Sequence, residues 1–410
     1  MAKGLRVALL GVACTGLLVV GLVNSALAAR PGRHFVTEDA AAVARKYVVN
    51  IETLTIQLGE VTLTTRTRRV TRDFASGIIY TSDGYILTVA RKVQDVDSVR
   101  IYLDEGIQDQ FMTEEEKEEG IPGQVVHADN RYDIAIIKID KQGLPVPPFA
   151  PISTVSQGDI ALAIGNSAGF GSTVTLGIVS AIRNVTTPGG AFIPDAIQTD
   201  ATINPGNDGG GLFNWKGELM GMHIIATGLQ NTNFFMNSDV LRYIADQIIE
   251  NVKNGCKGGG SDLDCNAFNP YLGIEPWLSM TQGGFGEFGA GQVPNSLRMT
   301  LGLPDQYWDV GLLVNDTMPE SPARNYGINR GDFLVDVSYT LFPGTERERR
   351  VEKEPLRSTG QLLRILFFMK KDQPITFGVI RNDKYVEITV PVGDYPRSDI
   401  RVSARGILVI

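Results

Sequence analysis

Short runs of apolar, β-branched and aromatic residues separated by turn residues dominate the chain from about Val48 to Asp140. In SGIIYTSDGYILTVA (76–90) two such runs flank the pair Asp83–Gly84, the pattern of two strands joined by a tight turn. DIAIIKID (133–140), DIALAIGNSAGFGSTVTLGIVSAIRNV (159–185) and GELMGMHIIATG (217–228) continue the alternation. Many short strands with glycine-rich turns predict an all-β barrel or sandwich pair, not alternating β–α units. NSDVLRYIADQIIENVKNG (237–255) instead reads as a helix, with Asn237 or Ser238 as N-cap and Gly255 as terminator.

Two further segments stand apart. DEGIQDQFMTEEEKEEGIPG (104–123) is strongly acidic and reads as a solvated surface excursion with a short helix; the alternative is a docking surface for a basic partner. Beyond about residue 270, strand signals recur at YLGIEPWLSM, GLLVND, FLVDVSY, ITFGVIRN and YVEITVPV, around a helix at STGQLLRILFFMKK (358–371). That mixture predicts a small α+β module. Within it, TQGGFGEFGAGQVPN (281–295) reads as a glycine-rich loop.

The first residues do not read as part of a fold. Lys3 and Arg6 precede an apolar run, Val7 to Val23, and then the small-residue pattern Ala26-Leu27-Ala28. This is the layout of a secretory signal cleaved after Ala28, with an uncleaved membrane anchor as the alternative. Export changes the reading of Cys256 and Cys265, which flank KGGGSDLD: the expected state is a disulfide, against two free thiols or a metal site. None of the three histidines is close to them in sequence, and no metal or cofactor is expected. With 410 residues, 43% hydrophobic and 20% charged, the chain has the composition of a soluble protein of two or three domains. A net charge of −8 and the lack of a Lys/Arg stripe argue against nucleic acid as a partner.

The chemistry centres on TDATINPGNDGGGLFN (199–214). Together with SGIIYTSDGYILTVARKV, DNRYDIAIIKID and AIGNSAGFGSTVTLGIVSAIR, in that chain order, it resembles the HtrA/Deg family of trypsin-like serine proteases from about residue 45 to 394. The resemblance implies a mainly β protein: a chymotrypsin-like double β-barrel (29–254), a cysteine-containing linker (255–269), one PDZ domain of α+β type (270–394) and a tail (395–410). It also places Arg91 where the family has its catalytic His, Asp133 at the orienting carboxylate, and Asp208 where the family has Ser. Gly206 and Asn207 match the loop of the oxyanion hole. In such enzymes an imidazole takes the serine proton, a carboxylate orients the imidazole, and backbone N–H groups stabilise the oxyanion. Losing triad members costs on the order of a million-fold in turnover.

Two charges of one sign facing each other are repulsive, so Arg91 is expected to bridge Asp133 and Asp208 through its planar guanidinium. The histidines that remain, His34, His127 and His223, read as structural. In the C-terminal region Tyr271, Leu272, Gly273 and Ile274 resemble the PDZ loop that captures a C-terminal carboxylate, with Leu362, Leu363 and Leu366 as pocket candidates on the helix. SPARNYGINRGDFLVDV (321–337) also matches the PDZ pattern, and the final RGILVI resembles an apolar PDZ ligand, with a packed final strand as the alternative.

The expected function is a non-catalytic scaffold or regulatory subunit in the periplasm or an equivalent extracytoplasmic space. Its partners would be protein or peptide C-termini. Alternatives are a hydrolase using Asp133 and Asp208, and a holdase chaperone. The family implies a homotrimer, with Phe35 and Tyr47 as candidate subunit contacts; a heteromer with an active paralogue is the other assembly. Membrane association is expected only through an envelope complex or an uncleaved anchor.

Overall fold

The computed structural model describes residues 36–61, 66–187, 191–226, 231–256, 270–272, 274–276, 311–343, 348–357 and 359–394. The signal segment, Cys265, Gly273, the 281–295 loop, Phe35 and the tail lie outside the described residues.

Strands β1 (Val48–Val61), β2 (Arg66–Ile79), β3 (Tyr85–Thr88), β4 (Ser98–Tyr102), β5 (Ile121–Asp129) and β6 (Ile134–Lys138) close a first barrel in the order β1-β2-β3-β6-β5-β4. A second closes from β7 (Ile160–Asn166), β8 (Ser172–Thr186), β9 (Phe192–Thr199), β10 (Gly211–Phe213), β11 (Leu219–Ala226) and β12 (Asn233–Asn237), in the order β10-β11-β12-β9-β8-β7. Closure leaves few unpaired strand edges. This is the chymotrypsin-like double barrel that the sequence resemblance implies.

Period-two alternation explains how consecutive apolar residues serve different cores. Ile79 and Ile86 fill the first barrel, whereas their neighbours Ile78 and Leu87 point into the seam between barrels. Ile164, Phe213 and Met222 meet them there from the second barrel, whose own interior holds Val179, Leu212 and Phe235. The helix Ser238–Lys253 lays Leu241, Ile244 and Ile248 on the seam, each side chain contributing about 1.5–3 kcal/mol by burial. Asn237 caps it by accepting from the N–H groups of Asp239 and Val240 at 3.1 and 3.0 Å, and Gly255 follows its end with φ +95°.

Two features depart from the sequence reading. The acidic excursion forms two helices, Glu105–Phe111 and Glu114–Glu119, because the Thr113/Glu116 capping box starts a second helix. Strands β1 and β2 run on as a two-stranded ribbon beyond the barrel, with Gln57 opposite Arg69 and Val61 opposite Arg66. Tyr47 is half-buried, and its ring stacks on Phe213 of the same chain at 6.4 Å.

The C-terminal unit is a sheet in the order β14-β15-β16-β18-β19, from β14 (Ile274–Pro276), β15 (Leu312–Thr317), β16 (Phe333–Leu341), β18 (Pro374–Arg381) and β19 (Lys384–Pro391). Strand β17 (Arg349–Pro355) pairs with β16, and β13 (Pro270–Tyr271) pairs with β20 (Gly393–Asp394). The helix Thr359–Phe367 has two packing faces. Leu362 and Leu366 enter the core of the sheet, whereas Phe367 joins the seam core of the barrels. Phe367 meets Tyr132 edge-on at 6.1 Å and Tyr243 at 5.5 Å, and Arg364 pairs with Asp195 at 2.9 Å. No helix among the described residues is long and apolar enough to cross a membrane.

Candidate active-site cleft

Arg91, Asp133 and Asp208 reach one point from different loops. Arg91 lies in the single-turn helix Ala90–Val93 after β3, Asp133 in the turn before β6, and Asp208 in the loop before β10. Asp133 adopts φ +55°, an uncommon conformation that Asp tolerates, in a turn organised by Asp129 accepting from the N–H of Arg131 at 2.9 Å.

The loop carrying Asp208 is held by Ser76, at the base of β2. Its hydroxyl donates to the Gly206 carbonyl at 2.8 Å and accepts from the Asn166 N–H at 2.7 Å, and its own N–H donates to the Asp208 carbonyl at 2.8 Å. Gly209, at φ +81°, sits so close to this wiring that a Cβ would fall 2.4 Å from the Ser76 carbonyl oxygen. Only glycine fits there. His223 on β11 pins the far side: its N–H donates to the Gly210 carbonyl at 2.9 Å, and its carbonyl accepts from Gly209.

Arg91 spans both barrels. Its backbone N–H donates to Asp133 Oδ1 at 3.0 Å, and its guanidinium forms an ion pair with the same carboxylate. Nη2 donates to Asp208 Oδ1 at 2.5 Å, and Nη1 to the Ile224 carbonyl at 3.0 Å. Lys92 reaches Asp73 at 2.8 Å and lies 3.8 Å from Asp208. Fully buried His223 places Nδ1 3.4 Å from Asp208 Oδ1, at the outer limit for a hydrogen bond. Burial raises the Asp208 pKa, but His223 and the Arg91 charge outweigh it and hold the carboxyl well below the usual carboxylate range.

The sequence brought Arg91, Asp133, Asp208, Gly206 and Asn207 into view, and the fold brings them together. Asn207 is buried with its side-chain oxygen lacking a hydrogen-bond partner in the structure. Ser76, Lys92 and His223 were not read as members of the site. His223 has no sequence signal beyond its place in the strand after the loop. His127 is buried on β5 at the bulge opposite Ile136. Among the described residues no group of three or more His, Cys, Asp or Glu side chains is arranged to hold a metal.

The C-terminal candidates fall in a separate place. Leu272 and Ile274 are fully buried, and the Leu272 carbonyl accepts from the Ala323 N–H at 2.9 Å. Tyr271 pairs with Gly393. Leu362 and Leu366 are core residues and Leu363 is half-buried. Cys256 is held in a disulfide.

Two closed six-stranded barrels with a charged cluster in the cleft between them define a trypsin-like serine-protease fold, and a trypsin-like peptidase domain model matches residues 75–222. A putative serine protease HhoA from Synechocystis sp. is 31% identical over 336 residues, covering 79% of this chain and 71% of that protein. The chain belongs to the HtrA/DegP family of trypsin-like serine proteases. A probable periplasmic DegP-like serine endoprotease from Halomonas elongata is 29% identical over 331 residues, covering 80% of this chain but 58% of that relative. The chain thus spans about three-fifths of that relative's length. Among solved structures, an HtrA-type protease AlgW with tripeptide aligns at TM-score 0.63 and 24% identity, covering 88% of this chain and 97% of that one, a likeness of fold.

Proposed function

We propose that this chain is an extracytoplasmic, non-catalytic member of its family, a pseudoprotease that binds protein or peptide C-termini through a PDZ-type unit. The observation that carries this reading is the position of Arg91. At the place where the family's general base belongs, the chain holds a permanent cation that saturates Asp133 and Asp208 and also takes the Ile224 carbonyl. A guanidinium does not give up its proton in proteins, so it cannot activate a nucleophile or water. Nor does Asp208 substitute for serine: its low pKa leaves an ionised, hydrogen-bonded carboxylate, and a shared-proton dyad with Asp133 is opposed by the cation between them.

The five-stranded path with a helix across it supports the PDZ reading of the C-terminal unit. Ile274 pairs with Thr317 on β15 and Tyr271 with Gly393 on β20, which supports reading this segment as a carboxylate loop. Relatives named as periplasmic support an extracytoplasmic location, as does the signal-like N-terminus. Pairing of Cys256 with Cys265 fits the same compartment.

The test is an endoprotease assay on a denatured protein substrate, comparing the natural chain with the double variant Arg91→His/Asp208→Ser. Silence from the natural chain and cleavage by the variant is the expected result. Cleavage by the natural chain that disappears in Asp208→Ala overturns the proposal. A holdase reading draws on one observation: Phe170, Leu176 and Ile178 are exposed by 89%, 62% and 44% on and just before β8. Suppression of aggregation of an unfolded client that is lost in Phe170→Ser/Leu176→Ser would favour it.

A further inference from the structure

We draw no further inference here: the strongest candidate, the exposed apolar strip of Phe170, Leu176 and Ile178 on and just before β8, carries nothing because nothing in the structure shows what covers it.

Discussion

Arg91 is a fixed charge, and its neighbours depend on it. In Arg91→Ala, two largely buried carboxylates face each other without their bridging cation. A cost of about 1–3 kcal/mol is expected, below that of a fully buried pair because the guanidinium keeps one face in water. Urea unfolding measures it, and Arg91→Lys should recover only part of the loss, since one ammonium does not reproduce the fork. Asp208 supplies the pH signature. Its folded pKa lies below its unfolded value, so its contribution is present above about pH 4 and is lost as pH falls from there toward the folded pKa. The stability difference between the natural chain and Asp208→Asn should therefore be widest near neutrality and shrink in acid. A difference that grows in acid would mean that the carboxylate is not held ionised by its neighbours.

At the scale of elements, the helix Ser238–Lys253 shows what was legible in the sequence. Its cap, apolar stripe and terminator are local signals, and all three operate in the fold. Asn237→Ala should cost about 1 kcal/mol and lower the melting temperature, because two N–H groups lose their acceptor. The barrel strands were equally legible, since alternation and the Asp83–Gly84 turn lie within short windows. Strand β17 was not, as its polar run RRVEKEP carries no apolar alternation and owes its pairing to β16. Arg91, Asp133 and Asp208 were found through motif positions, but His223 was not. Its role depends on two segments meeting in space, and a lone histidine in an apolar strand is ordinarily a core residue.

For the whole molecule, the aromatic contact between the C-terminal helix and the seam decides whether the units unfold together. Tyr132, Tyr243, Phe367 and Phe368 form a continuous edge-to-face cluster, and burial pushes the Tyr243 hydroxyl up to about 12, so it stays neutral. Phe367→Ala should cost about 3–5 kcal/mol and split a single calorimetric transition into two. A single transition that only shifts would show that the units are coupled elsewhere, through Arg364–Asp195 for example. The wiring of Ser76 has a wider consequence. Gly209 and its neighbours answer to a serine at the base of β2 and to the strand behind them, and so to the joining of two barrels. A chain of this fold that gave up catalysis would still be obliged to keep the glycines. A genome survey that recognises proteases by those glycines counts architecture, and the census of working enzymes has to be taken at the two side chains beside them.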